Sequence, residues 1–300
     1  MKREKTKKIL AWIAVVISAL FANLWAFWGI IENFHEGWYF KSFFQNVTMM
    51  FGQYLLFPLI FIIVAAVSIK WNKVGAVIHL AIAIFAAFFF GEGAGVTFIA
   101  IPLALLAILY WFGKLEKKRL AYVLVSVLPL FIILGLGVFH GIRVANRYND
   151  NNFEARLIKG NGVELIWAPQ GPGWTDNGAS WSEAKNICAH LSENGKSLSD
   201  STLNIWRLPT VDEAVRSLVY HGKNAGGVWN QKSKTASYRE QPNKESPLWN
   251  IYSKVIYWWT ADEVNEREAY IIVYNGGVYP RQKKFGPAYL TFRAVKETKK

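Results

Sequence analysis

Apolar positions dominate the first half of the chain, whereas polar and apolar positions are interspersed in the second half. Five apolar runs each approach or exceed the ~20 residues that a helix needs to cross ~30 Å of hydrocarbon. The sequence therefore predicts an all-α membrane bundle of about five transmembrane helices over residues 1–142. The spans are expected at residues 9–31, 47–69, about 74–90, about 96–112 and 120–142.

Two details of this bundle leave alternatives open. The third and fourth runs are short, and only Gly91-Glu92-Gly93-Ala94-Gly95 separates them, so they fit either two spans with a tight turn or a re-entrant pair. The start of the chain also resembles a secretory signal, and cleavage after Ala22 would leave four spans. The first run is longer than a usual signal core and lacks a convincing small-x-small site, which favours an uncleaved anchor.

The distribution of basic residues predicts the orientation of the bundle. They precede the first run and fill the connections between the second and third and between the fourth and fifth runs, whereas the other connections hold only Lys41. The positive-inside rule then places the N-terminus in the cytoplasm and the C-terminal domain in the periplasm or outside the cell. The lipid bilayer is therefore an expected partner, and no nucleic acid is expected despite the net charge of +13. The basic residues on the inner side are Lys2, Arg3, Lys5, Lys7, Lys8, Lys70, Lys73, Lys114, Lys117, Lys118 and Arg119.

The polar half predicts a joint over residues 143–159 and one exported domain over residues 160–300. Ser180 and Thr210 are each followed three residues later by a glutamate, the spacing of a capping box that starts a helix. Strand patterns surround these helices, and Asn275-Gly276-Gly277 predicts a hairpin turn, so we expect an α+β domain. Cys188 is the only cysteine, which excludes an intrachain disulfide.

Several short motifs follow one another in this half. The most specific is the string Trp206-Arg207-Leu208-Pro209-Thr210, with Glu213 three residues beyond it. The others are Gly162-Val163-Glu164-Leu165-Ile166-Trp167-Ala168-Pro169, Trp181-Ser182-Glu183-Ala184 with Cys188, Tyr257-Trp258-Trp259-Thr260, Gly276-Gly277 and Phe292-Arg293-Ala294-Val295. Together they resemble the Lcl-type C-terminal domain of bacterial surface proteins, over about residues 160–297. That family is related to the formylglycine-generating sulfatase-modifying factors, and the resemblance implies a C-type-lectin-like fold.

The resemblance gives little support to catalysis. The formylglycine-generating relatives depend on reactive cysteines, and family members commonly carry a cysteine near the position of Ala294, which leaves Cys188 without a partner. We interpret the Trp206–Glu213 string as structural: Thr210 and Glu213 start a helix, and Arg207 ties loops together. The sequence contains no nucleophile elbow, phosphate loop or zinc-spaced Cys/His set. We therefore expect no catalytic residue and no cofactor.

Binding is the function that the polar half favours. Aromatic side chains in loop-like or strand-end positions accompany basic residues, and such pairs suit sugars, whose C–H faces stack on rings while hydroxyl and acidic groups accept charged hydrogen bonds. Relatives include adhesive surface domains. The leading hypothesis is a membrane-anchored binding protein for a glycan, a cell-wall polymer or an envelope protein. The candidate ligand-binding residues are Trp174, Trp229, Trp249, Trp259, Arg239, Arg281, Lys283 and Lys284.

The membrane half contains one cluster of ionisable residues. Glu32, His35 and Glu36 share a helix face if the first helix continues past Ile31, and Glu-x-x-His spacing is used by metal-binding carboxylate bundles. His79, inside the third run, is a separate buried polar candidate. These residues support the alternative hypothesis of a small transporter, a channel or a membrane enzyme regulated by the exported domain.

Overall fold

The computed structural model describes residues 2–298, which form two compact units. Residues 2–38 and 42–143 form a unit of apolar helices, and residues 39–41 and 144–298 form a sheet-rich unit. The predicted division into a helical N-terminal region and an α+β C-terminal region agrees with this architecture. The apolar helices are compatible with a membrane protein.

Apolar helices account for nearly all of the helical unit. Three are long and apolar enough to span a bilayer, at Lys2–His35, Asn72–Phe90 and Lys118–Ala145. Phe43–Tyr54 and Leu56–Lys70 pass the same test only as a pair bent by 62°, and Val96–Phe112 is shorter. The helices, with their bounds, are α1 (Lys2–His35), α2 (Phe43–Met49), α3 (Leu56–Lys70), α4 (Asn72–Phe90), α5 (Ile101–Phe112), α6 (Lys118–Tyr122) and α7 (Leu128–Ala145).

Three π-helical turns interrupt these helices, and each one lies just before a proline. They occupy Met50–Tyr54, Val96–Ala100 and Val123–Val127, and Pro58, Pro102 and Pro129 follow them. A proline within a helix cannot donate to the carbonyl four residues earlier, and its ring collides with that carbonyl. In all three cases this carbonyl belongs to the π-helical turn, which offers a wider local geometry. The prolines therefore explain where the helices deform.

Small residues let the helices of this unit approach closely. A Cβ atom on Gly29 of α1 would lie 2.2 Å from the carbonyl oxygen of Tyr54, and one on Gly75 of α4 would lie 2.0 Å from Ser68 Oγ on α3. Alanines such as Ala14 and Ala83 fill much of the remaining core. Small side chains at helix contacts are typical of membrane bundles, in which van der Waals packing drives association.

Two sheets, two short hairpins and two helices form the sheet-rich unit. The bounds are β1 (Arg156–Gly160), β2 (Val163–Trp167), α8 (Trp181–His190), α9 (Val211–Ser217), β3 (Val219–Tyr220), β4 (Lys223–Asn224), β5 (Val228–Asn230), β6 (Thr235–Ser237), β7 (Tyr257–Glu263), β8 (Glu268–Val273), β9 (Val278–Gln282), β10 (Leu290–Thr291) and β11 (Val295–Glu297). The first sheet has the antiparallel order β1–β2–β11, and the second has the order β10–β7–β8–β9, with β10 parallel to β7.

Local sequence signals set the helix starts and the main hairpin. The side chains of Ser180 and Thr210 each accept a hydrogen bond from the backbone N–H of a glutamate three residues on. The carboxylate of that glutamate accepts one from the backbone N–H of the cap residue, so both predicted capping boxes are confirmed. The predicted hairpin turn connects β8 and β9, and Gly276 adopts a φ of 91° there. Such a φ favours glycine because other side chains clash.

Both faces of the second sheet are buried. Trp258 and Ile272 point into one apolar cluster, whereas Trp259 and Ile271 point into another. Successive side chains in a strand alternate between faces, so a strand buried on both sides lacks a polar face. This explains the uninterrupted aromatic run in β7. On the edge strand β9, Pro280 lacks an N–H, which protects that edge from pairing with another strand.

The predicted joint is part of the C-terminal unit rather than a free linker. Arg147 Nε donates to Asn243 Oδ1 at 3.3 Å, and Ser246 N donates to the Tyr148 carbonyl at 3.0 Å. Asp150 forms an ion pair with Arg156 at 2.7 Å and also accepts from the backbone of Asn152 at 3.0 Å. The structured domain therefore extends back to residue 144, because the Asn-rich segment makes turns and long-range hydrogen bonds.

Candidate functional site

Three of the four candidate tryptophans are buried in the core. Trp174 is 4%, Trp249 2% and Trp259 0% exposed, so the expectation that they present ring faces to a ligand is wrong. Trp249 stacks on Trp258 with ring centroids 3.7 Å apart, and Trp259 Nε1 donates to the Ala179 carbonyl at 2.8 Å. Their expected loop-like or strand-end positions suggested exposure, but tertiary packing covers these segments.

The remaining candidates do not converge on a single surface. Trp229 is half-buried against Tyr270, with ring centroids 6.1 Å apart. Arg281 lies opposite Ala269 in β8, the residue before Tyr270, so it occupies the other face of the sheet. Arg239 is exposed beside Gly226, in a different loop. The structure therefore separates Trp229 and Arg239 from Arg281, Lys283 and Lys284.

A polar groove lies where the β7–β8 connection faces the end of β9. Its volume is about 720 Å³, and both Lys283 and Lys284 line it. The opposite wall is the turn of residues 265–268, which sequence analysis did not single out. The lining residues are Asn265, Glu266, Arg267, Glu268, Gln282, Lys283 and Lys284.

Hydrogen bonds within the turn hold this wall in place. Asn265 Oδ1 accepts from the backbone N–H groups of Arg267 and Glu268, both at 2.9 Å. Asn265 Nδ2 donates to Glu268 Oε2 at 2.8 Å. Asparagine commonly fixes turns through such contacts to the backbone two residues on. The overlooked signal for this turn is an asparagine followed by alternating charges between two strands.

The two lysines of the groove differ in their surroundings. Lys283 is 17% exposed at its side chain and forms an ion pair with Glu263. Its Nζ also donates to the Glu266 carbonyl at 3.1 Å and lies 4.7 Å from the ring centroid of Trp181. The hydrogen bond from Lys283 lowers the pKa of Glu263. These contacts indicate that Lys283 stabilises the fold, whereas the side chain of Lys284 is exposed.

Unpaired basic groups remain beside this lysine. Within residues 2–298, no ion pair involves Arg267, Arg281 or Lys284. The three side chains are exposed. The groove thus offers free cations together with carboxylates and amides, a set that can both donate hydrogen bonds to a ligand and accept them from it.

The Trp206–Glu213 string has a structural role. Arg207 Nη1 and Nη2 donate to the two carboxylate oxygens of Glu213, both at 2.7 Å, and Nη2 also reaches Glu297 at 2.6 Å. Burial raises the pKa of Glu213, but hydrogen bonds from Arg207 and Thr210 outweigh it, so the net pKa is lowered. Arg207 thus connects Glu213 at the start of α9 to Glu297 in β11.

Leu208 and Pro209 complete the string. Leu208 is buried in the same cluster as Trp206 and Trp259. The Pro209 carbonyl accepts a hydrogen bond from the backbone of Ala261 at 2.8 Å, which connects the string to β7. These contacts place the whole motif among packing and loop-fixing residues, as its sequence pattern indicated.

Cys188 is buried and unreactive. Burial raises the pKa of its thiol to about 12. A thiol is nucleophilic and metal-binding only as the thiolate, so this cysteine remains protonated at physiological pH. The side chain belongs to the apolar cluster beneath α8.

The ionisable residues of the helical unit do not form a metal centre. Among residues 2–298, no three His, Cys, Asp or Glu side chains are close enough to hold a metal ion. Helix α1 ends at His35, and Glu36 N donates to the Glu32 carbonyl at 2.8 Å, so the expected helical spacing of Glu32, His35 and Glu36 is present without forming such a group. His79 is fully buried; its Nδ1 lies 2.9 Å from the Gly75 carbonyl and 3.3 Å from Ser68 Oγ.

Comparison with known proteins gives one match, in the helical half. Residues 1–122 match a family described as "Domain of unknown function (DUF7670)". No curated protein and no solved structure matches the chain. The matched segment covers α1 to α6 and includes the basic connections.

Basic residues from three parts of the matched segment gather at one end of the helical unit. Lys114 N donates to the Lys7 carbonyl at 3.1 Å, and Lys8 forms an ion pair with Glu116 at 2.8 Å. Lys118 Nζ reaches the Lys70 carbonyl at 3.4 Å. The tertiary structure therefore joins the N-terminal cluster to both of the basic connections that sequence analysis assigned to one side.

Proposed function

We propose that this protein is a membrane-anchored, non-enzymatic binding protein whose C-terminal unit recognises a glycan on the outer side of the membrane. The observation that carries this proposal is the groove between residues 265–268 and 282–284. Its volume of about 720 Å³ is in the usual range for ligand sites. The groove contains no buried, activated nucleophile or base, which favours binding over turnover.

The chemistry of the groove suits a polar saccharide. Glu266 and the second carboxylate oxygen of Glu268 can accept hydrogen bonds from hydroxyl groups, and Gln282 can both donate and accept, whereas the Asn265 amide holds the turn. The guanidinium of Arg267 matches sulfate or carboxylate in a bidentate manner, and Lys284 adds a flexible cation. Because acidic and basic groups alternate, the groove favours a sugar that carries both hydroxyl and anionic groups over a simple polyanion.

The resemblance to the Lcl-type domain supports the same function. We propose that the C-terminal unit has the C-type-lectin-like fold that this resemblance implies. Supporting features are its α+β organisation and the capped helix that follows Trp206-Arg207-Leu208-Pro209-Thr210. Fold likeness alone does not establish activity, so the binding hypothesis depends on the groove.

We further propose that the basic end of the helical unit is cytoplasmic and that the C-terminal unit is exported. The gathered lysines support this orientation through the positive-inside rule. The short connection of residues 39–41 groups with residues 144–298, and segments that pack together lie on the same side of a membrane. Alkaline phosphatase fused after residue 300 is expected to be active. Activity of a cytoplasm-only reporter at that position would contradict the orientation.

Binding is expected to depend on the unpaired cations of the groove. Changing Arg267 and Lys284 together to Gln should weaken binding of the full chain in detergent to a sulfated or uronic polysaccharide by about tenfold, or ~1.4 kcal/mol for two charge-assisted contacts. Thermal stability should stay unchanged, because neither side chain forms an ion pair. Titration by calorimetry at two salt concentrations measures the effect, and higher salt should weaken binding further.

Arg239→Gln is the matched control, because it removes an exposed cation in a different loop. Lys283→Gln is expected to lower stability as well, since Lys283 is paired with Glu263 and covers Trp181. The groove hypothesis fails if the double variant binds as tightly as the native chain, or if Arg239→Gln weakens binding equally. The absence of any signal from the folded chain on a broad glycan array would contradict glycan recognition itself.

A further inference from the structure

A second groove runs along α1 at the basic end of the helical unit. Its volume is about 410 Å³. The residues that line it all belong to α1: Lys5 and Lys8 line its N-terminal end with their alkyl stems, and Ile9, Trp12, Ile13 and Val16 continue along the helix. The exposed side chains along it are apolar, with Ile9, Ile13 and Val16 each 41–50% exposed. A charged end followed by about two turns of apolar surface is the pattern of this site.

The charge at the head of this groove is only partly compensated. Lys8 forms an ion pair with Glu116 at 2.8 Å, and Lys7 pairs with Glu4 at 2.8 Å. Lys5 forms no ion pair with any residue between positions 2 and 298. The groove therefore begins at a cation that is available to an anionic group.

Neighbouring aromatic residues mark this end as a membrane interface. Lys70 Nζ lies 4.2 Å from the ring centroid of Trp71, and Lys73 Nζ lies 5.7 Å from that of Trp111. Both indoles are substantially exposed. Tryptophan beside lysine is enriched at the depth of lipid headgroups, where the ring is half-solvated and the ammonium reaches phosphate. Because these two indoles indicate the depth of the headgroups, Lys5 at the same end of the unit lies near the headgroups. Ile13, about two turns further along α1, lies near the acyl chains.

We propose that this groove binds one anionic diacyl phospholipid, with its phosphate at Lys5 and one acyl chain along Ile9, Ile13 and Val16. The site lies in the helical unit and is independent of glycan recognition. Charge complementarity selects the occupant: a zwitterionic lipid places its own cation beside Lys5, whereas an anionic lipid does not. Basic grooves on the cytoplasmic side of membrane helices bind anionic headgroups in the same way.

The test uses the full chain in detergent and phosphatidylglycerol as the probe, with bound lipid counted by native mass spectrometry. Lys5→Gln should weaken the tightest phosphatidylglycerol adduct about fivefold, the factor that one basic side chain near a membrane surface supplies. Phosphatidylcholine adducts should not change. Inorganic phosphate should bind far more weakly than the lipid, because it lacks the chain that fills the groove.

Lys2→Gln is the matched control, because it removes a cation from the same helix outside the groove. Ile13→Trp fills the groove without changing charge and should also displace the adduct, with the Lys5 cation intact. The proposal is overturned if Lys5→Gln and Lys2→Gln weaken phosphatidylglycerol equally, if Ile13→Trp leaves the tightest adduct in place, or if phosphatidylcholine competes on equal terms. Circular dichroism of each variant verifies that the helices remain folded.

Discussion

Replacing Arg293 by alanine is expected to lower the free energy of unfolding of the C-terminal unit by ~3–5 kcal/mol, because each buried acceptor that loses its charged donor costs about 1–3 kcal/mol. The guanidinium is fully buried, and it donates to the carbonyls of Ala168, Pro247 and Leu248 at 2.6–2.9 Å. It also lies 3.7 Å from the ring centroid of Trp174. The truncation leaves three buried carbonyls without donors and a cavity above the indole.

Urea unfolding of the full chain in detergent, followed by tryptophan fluorescence and by protease cleavage within residues 144–298, measures this loss. Arg293→Lys should recover only part of the stability, because an ammonium cannot reach three carbonyls in one plane while it stacks on a ring. Arg281→Ala, an exposed arginine in the same unit, should change stability by less than ~0.5 kcal/mol. Equal stability of Arg293→Ala and Arg281→Ala would show that the buried cation does not support the fold.

Replacing Trp206 by alanine is expected to destabilise the same unit by ~3–5 kcal/mol, the usual range for truncating a buried tryptophan. Its indole is buried, its Nε1 donates to the Ser192 carbonyl at 2.8 Å, and Lys296 Nζ covers the ring at 4.6 Å. The ring thus ties three segments of chain together. The same urea experiment measures the effect.

Trp206→Phe should retain more than half of the stability, because it keeps most of the apolar contact and loses the hydrogen bond. Trp229→Ala, which truncates a half-buried ring, should have a smaller effect. Arg207→Ala should also destabilise the unit, because it leaves the half-buried Glu213 without its bidentate partner. Normal stability of Trp206→Ala combined with a selective loss of glycan binding would assign this residue to recognition instead of folding.

Local patterns in the sequence predicted those features that depend on neighbouring residues. The two capping boxes and the Asn275-Gly276-Gly277 turn form as expected because each is closed by hydrogen bonds or backbone angles within a few residues. The π-helical turns that precede Pro58, Pro102 and Pro129 were not predicted. Local sequence shows where the hydrogen bond is lost, but the surrounding helices decide how the chain accommodates it.

The assignment of ligand-binding aromatics shows where local reasoning fails. Trp174, Trp249 and Trp259 were assigned to loop-like or strand-end positions, and those positions indicated exposure. Arg293 covers Trp174, and the Ala179 carbonyl accepts a hydrogen bond from Trp259, in both cases from a distant segment of the chain. Burial of a ring is a property of all the segments packed around it, and no short window of sequence contains that information.

The sequence by itself determined the apolar helical half, the polar α+β half, and the starts of α8 and α9, because hydrophobic runs and capping patterns act over short distances. Only the tertiary structure decided which cations are free. It paired Lys283 with Glu263 and Lys8 with Glu116, while Lys5, Arg267 and Lys284 form no ion pair among residues 2–298. It also formed the groove at residues 265–268 and 282–284, whose two walls come from separate segments of the chain, whereas the groove on α1 is lined by one helix. Electrostatic pairing depends on distances of a few ångströms between side chains, and those distances are fixed only when the chain has folded.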